Sequence, residues 1–278
     1  MKYVGAHVSI SGGIYNAPKN AKKIGAKAFG MFTKNQRRWN AKPLECKDIE
    51  KFHEELKNSG IMTDKILVHD SYLINLANPE KEQRNKSIKA FIDEINRVKK
   101  IGLKYLNFHP GSTVGKVEDG KGLDLIVEAM NIALKKTEDV VLVIENTAGQ
   151  GNDLGYTFEH IKYLIKNSSN ENRVGVCLDT AHAYGAGYDV KNNLDKTLIE
   201  FDEIIGIEFL KGMHINDTKV ELGSRKDRHE NVGRGKLGWK TFKNIMNDSR
   251  LENIPLIMET SNKDEWAQDI KKLYDFVK

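Results

Sequence analysis

Six short apolar runs in this chain each end on a residue that can bind a metal. They are KILVH ending at His69, KYLNFH at His109, VVLVIE at Glu145, VGVCLD at Asp179, LKGMH at His214 and IPLIME at Glu259. The steps between those endings are 40, 36, 34, 35 and 45 residues, close to one strand-loop-helix-loop unit. Repeating such a unit lays strands parallel and brings their ends to one face, so side chains distant in sequence converge there. His182, Asp227 and His229 raise the set to nine donors, which takes in five of the chain's eight histidines.

The rest of the chain follows the same alternation. YVGAHVS precedes an amphipathic stretch at 17–24, AFGMFT one at 48–59, ILVHD one at 81–101 and YLNFHP one at 123–136. VLVIEN precedes one at 158–167, GVCLD one at 194–204, FLKGMHIND one at 239–246 and LIMET one at 265–277. Alternating strand and helix patterns predict a parallel sheet with helices outside, and eight units closing on themselves make an α/β TIM (β/α)8 barrel. With only five prolines and no low-complexity linker, no boundary interrupts the pattern, so one domain over 1–278 is expected. The length suits a barrel of about 250 residues.

Composition narrows the setting. The longest apolar runs are strand-sized, well short of the roughly 20 residues of a membrane span. MKYVGAHVS enters a strand directly and lacks a signal-peptide core, and two cysteines are too few for a disulfide framework. A reducing, cytoplasmic location with access to the genome is expected. The net charge of +5 permits nucleic acid without requiring it.

In a TIM barrel the C-terminal strand ends carry the chemistry, and a strand-end side chain offers its donor atom on a rigid support. A cluster of buried ionisable groups without cations would be costly. Asp179 and His182 stand three residues apart, while Asp227 and His229 have the period-two spacing that faces both donors one way in an extended loop. Nitrogen and oxygen donors suit zinc well, manganese acceptably and copper less. Nine donors exceed one tetrahedral site and are best used by two or three metals sharing a carboxylate, as in phosphoryl-transfer hydrolases. Three dications against Glu145, Asp179, Asp227 and Glu259 would leave a residual +2, matched to an anionic phosphodiester. Cys177 reads as barrel interior and His53 and His160 as helix surface, while His7 is open between a supporting and a phosphate-contacting role.

The segments HDSYLINL (69–76), NFHPGS (107–112), VIENTAGQG (143–151), GVCLDTAHAYGAGYD (175–189), HINDTK (214–219) and DRHENVGRG (227–235) resemble the endonuclease IV family of apurinic/apyrimidinic endonucleases. The resemblance runs from AHVSISGG (6–13) to LIMET (256–260). It implies a trinuclear zinc barrel that cuts double-stranded DNA on the 5′ side of an abasic site, leaving a 3′-hydroxyl and a 5′-deoxyribose phosphate, and often cleans blocked 3′ ends. Carried onto this chain, it implies one zinc on His69, His109 and Glu145. A second shares Glu145 and adds Asp179, His214 and Glu259, and a third takes His182, Asp227 and His229. Glu145 would be the catalytic bridge that positions the attacking hydroxide.

Three positions depart from the family pattern: Ala181, Thr218 and Arg234, the last of which is expected to alter local DNA affinity. The loop KNQRRW (34–39) carries three cations, two amides and an indole. Alone it reads equally as a solvated basic turn; the resemblance makes Arg37, Tyr72 and Leu73 wedges that contact DNA and fill the stack beside a flipped abasic nucleotide. One barrel on one duplex needs no second copy, so a monomer without membrane contact is expected. Two alternatives are a sugar isomerase or epimerase, which would leave His182, Asp227 and His229 unused, and a non-catalytic abasic-DNA binder, which could lose ligands.

Overall fold

Alternating side-chain direction along eight short strands decides the architecture. The structure, a computed structural model, describes residues 1–277. The strands are β1 (Tyr3–His7), β2 (Ala28–Met31), β3 (Ile66–His69), β4 (Tyr105–Phe108), β5 (Val141–Glu145), β6 (Val174–Asp179) and β7 (Leu210–His214), then the two-residue β8 (Asp217–Thr218) and β9 (His229–Glu230), then β10 (Pro255–Met258). All but β8 and β9 close into a parallel barrel in chain order, with β10 returning to β1. The chain therefore adopts the expected TIM barrel.

Outward-facing strand residues such as Val4, Phe29, Val68, Leu106, Ile144, Leu178 and Met258 join the main core beneath the helices. Inward-facing Ala28, Leu67, Tyr105, Val141, Val143, Cys177 and Ile257 form a second, smaller core that fills the barrel. Side chains two residues further along each strand stand one rung higher, at the mouth. Gly5 is needed where β1 meets β2, because a Cβ there would collide with the carbonyl of Ala28.

The outer helices are α1 (Asn16–Lys23), α2 (Cys46–Ser59), α3 (Lys81–Lys100), α4 (Asp119–Lys136), α5 (Phe158–Lys166), α7 (Leu194–Ile204), α8 (Gly238–Asn247) and α9 (Trp266–Asp275). Helix α4 starts four residues before its expected position, since its first turn, Asp-Gly-Lys-Gly, lacks the apolar period that marks the rest. Two elements are unexpected. Helix α6 (Thr180–Ala186) follows β6 at once, and its residues 180–185 are buried, so it shows no polar face to read as amphipathic. The β8–β9 pair is an antiparallel hairpin between β7 and α8, joining Thr218 to His229. Among the described residues, no helix is long and apolar enough to cross a membrane.

Candidate metal centre

All nine donors meet at the C-terminal mouth of the barrel. His69, Glu145, Asp179 and His214 are the last residues of their strands, while His109 and Glu259 follow β4 and β10 by one residue. On β4 the rung above Tyr105 is Asn107, so His109 stands one rung higher still and its side chain is 39% exposed. Glu145, Asp179, His182 and His214 are almost fully buried.

Donor atoms fall into three groups, each within 4.8 Å: His69, His109 and Glu145; Glu145, Asp179, His214 and Glu259; and Asp179, His182 and His229. Glu145 belongs to two of them and divides its oxygens. Its Oε2 lies 3.3 Å from His69 Nε2 and 3.4 Å from His109 Nε2, while Oε1 lies 2.9 Å from His214 Nδ1. His214 Nδ1 is also 3.1 Å from Glu259 Oε2. Asp227 splits its carboxylate between two imidazoles, with Oδ2 3.2 Å from His182 Nε2 and Oδ1 3.2 Å from His229 Nε2. His182, Asp227 and His229 thus lie together, and Asp179 is also close, 3.8 Å from His229 Nε2.

Several observations test whether these residues suit a metal. Two ligands at about 2.0–2.1 Å on a tetrahedral ion stand roughly 3.3–3.4 Å apart, which is the spacing about Glu145 Oε2. His229 Nε2 is buried and, among the described residues, has no hydrogen-bond partner despite carboxylate oxygens close by, as expected of an atom reserved for coordination. His69 Nδ1 donates to the carbonyl of Asp70 (3.0 Å) and His182 Nδ1 to that of Asn146 (2.9 Å), leaving each Nε2 facing the carboxylates. The donor set is nitrogen and oxygen only, and it fits a divalent cation.

The imidazoles and carboxylates of the cluster also shift one another's titration. Burial opposes ionisation of Glu145, but His214, His109 and His182 around it hold its pKa well below the ordinary carboxylate range. Burial likewise opposes charge on His69, His182 and His214. For His69, hydrogen bonds to Asp70 and Glu145 outweigh it and raise the pKa well above the usual imidazole value. Asp179 and Asp227 do the same for His182, as Cys177, Glu145 and Glu259 do for His214. Burial pushes the Cys177 thiol up to about 11, as befits a barrel-interior residue and not a thiolate ligand.

Supporting residues were missed by the sequence reading. Asn107 Nδ2 donates to Glu145 Oε2, and Asn216 Nδ2 donates to Asp179 Oδ2 (2.7 Å) while its Oδ1 accepts from the amide of Glu259. Asn146 Oδ1 accepts from the Asp179 amide. Asp179 Oδ1 caps α6 by accepting from the His182 amide at 2.8 Å, so the ligand carboxylate also sets the direction of the next ligand. Asp217 accepts four backbone N–H groups, from Thr218, Gly235, Leu237 and Gly238, and so shapes the loop after His229. A Cβ at Gly235 would strike that carboxylate and the carbonyl of Thr218. Each asparagine lies within two residues of a ligand in sequence, which was the available signal. Asp70 adds a further carboxylate, itself buried, whose pKa burial raises against the opposing effect of His69. His7 Nδ1 lies 3.0 Å from Glu259 Oε1.

The proposed DNA-contact residues rim the same mouth. Tyr72 is 61% exposed, its ring 5.7 Å from that of His69, and Leu73 beside it is half-buried. Arg37 is exposed, and among the described residues its guanidinium has no partner. Ser71 Oγ donates to the carbonyl of Gln36 at 2.7 Å, tying the two loops together. Arg234 pairs with Glu265 and Asp269 of the C-terminal segment. His53 is exposed on α2, and His160 on α5 accepts from the amide of Gly155.

Comparison with known proteins gives a consistent picture. Residues 18–278 match the family described as xylose isomerase-like TIM barrel. The chain is 52% identical over 280 residues to a probable endonuclease 4 of Campylobacter fetus subsp. fetus, covering 100% of this chain and 99% of that protein. The crystal structure of endonuclease IV from Thermus thermophilus superposes with a TM-score of 0.87 at 32% identity, covering 99% of this chain and 98% of that one. A D-tagatose 3-epimerase-like protein, at 17% identity and a TM-score of 0.72 with 100% and 98% coverage, shares the fold alone. With full-length identity above half and the same barrel, this chain belongs to the endonuclease IV family within the xylose isomerase-like TIM barrels.

Proposed function

We propose that this protein is a zinc-dependent DNA-repair endonuclease. It hydrolyses the phosphodiester bond 5′ to an abasic site in duplex DNA, leaving a 3′-hydroxyl and a 5′-deoxyribose phosphate, and it also removes blocking groups from 3′ ends. The observation that carries this reading is the division of Glu145 between two donor groups, Oε2 toward His69 and His109 and Oε1 toward His214. A bridging carboxylate of that kind suits neighbouring ions, with His69, His109 and Glu145 holding one, Glu145, Asp179, His214 and Glu259 a second, and His182, Asp227 and His229 a third.

Three bound dications would supply a nucleophile at neutral pH and neutralise the phosphate. The chain's own residues do the rest. Asn107, Asn146, Asn216 and His7 fix the ligand carboxylates and imidazoles in place. Tyr72 and Leu73 enter the stack beside the vacated nucleotide, and Arg37 meets the backbone or groove. An abasic nucleotide has no base to unpair, so it reaches the mouth at least cost. A single barrel acting as a monomer inside the cell suffices.

An epimerase reading has no use for His182, Asp227 and His229, and a purely DNA-binding reading has no use for nine assembled donors. The test is incision of a duplex holding one tetrahydrofuran abasic analogue, which cannot undergo β-elimination. Hydrolysis should yield a 3′ end that a polymerase extends, and chelation should abolish it. Intact substrate after incubation with metal-replete protein would overturn the reading.

A further inference from the structure

The loop that carries Arg37 is gripped by charges, buried except for the half-exposed Asp93, that lie outside the donor groups of the metal centre. Lys34 Nζ lies 3.2 Å from Glu94 Oε1, with both side chains 2% exposed, and 3.0 Å from Asp93 Oδ2. Glu94 Oε2 accepts a 2.6 Å hydrogen bond from Thr33 Oγ1, so both its oxygens are engaged. One turn on, Arg97 Nε donates to Asp93 Oδ2 at 2.9 Å, and its Nη2 donates to the carbonyls of Ala41 (3.2 Å) and Lys42 (2.7 Å). Lys34 Nζ also reaches the carbonyl of Trp39, and the Lys86 ammonium sits 4.1 Å over the Trp39 ring. Helix α3 therefore holds this loop at its root, at Trp39 and at its exit.

Two cations and two carboxylates balance, so the cluster carries no net charge. A buried ion pair is a weak source of stability because desolvation offsets its attraction. Its contribution here is a single geometry for the backbone around it. Between the grip points only 35–38 projects, with Arg37 and Arg38 exposed, and the Gln36 carbonyl is tied to Ser71 next to Tyr72. A loop fixed in this way loses little entropy when a ligand arrives.

We propose that Lys34 and Glu94 are positioning residues whose ion pair fixes residues 34–42 before DNA binds, so that Arg37 is presented in place. The inference rests on the DNA-contact role given to Arg37 above. Two variants test it, Glu94→Gln and the double change Lys34→Met with Glu94→Gln. Both are to be made in the metal-loaded, full-length protein. The double variant removes both charges of the pair, so it carries the test if the single one, leaving Lys34 without its partner, fails to fold.

Tryptic cleavage after Arg37 and Arg38, followed by mass spectrometry without DNA, reads loop order directly. It should accelerate by roughly tenfold relative to other sites. On the abasic duplex, KM should rise roughly tenfold with kcat within about twofold, since substrate positioning is lost and the metal ligands are untouched. Metal content should not change. Unchanged cleavage and KM in a folded variant would overturn the proposal, as would loss of metal with a fall in kcat. If the wild-type protein leaves the duplex uncut, the function proposed above fails, and the tryptic comparison still decides whether the pair orders the loop.

Discussion

Two residues along a strand separate the driest part of this barrel from its most polar part. Leu67 lies below His69, Val143 below Glu145, Cys177 below Asp179 and Ile257 below Glu259. The lower members belong to the apolar core that fills the barrel, and the upper ones are metal-ligand candidates, buried with them except for the partly exposed Glu259. Both rungs share the same backbone and point the same way, so both inherit its rigidity. They differ in what a substitution leaves behind. A truncated lower side chain leaves a small cavity, while a changed upper one leaves a buried group without the partner that set its charge. Stability should therefore respond to the lower rung, and chemistry to the upper.

The sharpest way to break that contrast is Glu145→Gln. The amide keeps the size but loses the charge shared by two donor groups. Incision should fall by roughly a thousandfold or more, beyond the 10–100-fold typical of a residue that only supports a ligand. Duplex binding should stay within a few-fold, because Arg37, Tyr72 and Leu73 remain. Near-wild-type cutting by this variant, in parallel assays of binding and incision, would remove Glu145 from the centre of the account.

A smaller effect is expected at the rim. Replacing Tyr72 and Leu73 together with Ala should lower the preference for abasic over intact duplex by roughly tenfold or more, with metal content unchanged, since stacking on an aromatic ring contributes about 1–3 kcal/mol. Titrations of both duplexes at two salt concentrations separate this from a phosphate contact, whose loss weakens both alike and flattens the salt dependence. Equal losses on the two duplexes would mean that these residues only support their loop.

The smallest effect on activity belongs to the lower rung. Val143→Ala should lower unfolding free energy by about 1.5–3 kcal/mol, the worth of a buried aliphatic side chain. Below the melting range it should leave metal content and incision rate unaltered. Denaturant unfolding followed by the incision assay checks both halves. Loss of metal in this variant would show that the two rungs are not separable.

The same contrast explains what could be read from the amino-acid sequence. Strand-end ligand candidates such as His69, Glu145 and Asp179 were legible because an ionisable residue closing an apolar run is rare in a core, and the spacing repeats with the fold. Asn107, Asn146 and Asn216 were not, because asparagine near a strand end is ordinary and only the three-dimensional contact gives each one a role. Helix α6 was hidden by its burial, although it orients His182 through the Asp179 cap. The β8–β9 hairpin was too short for a strand pattern, and the share of Asp179 in the third donor group depends on where that hairpin places His229. The ion pairs of Arg234 were not legible because its acidic partners, Glu265 and Asp269, lie some thirty residues further along the chain.

The central claim is that the upper rung, completed by His182, Asp227 and His229, is one multinuclear metal centre. Elemental analysis of the native purified protein tests it most directly. The account predicts about three divalent ions per chain, mainly zinc, consistent with eight nitrogen and oxygen donors in three adjoining groups and Asp227 beside two of their imidazoles. One ion or fewer per chain in fully loaded protein would contradict it.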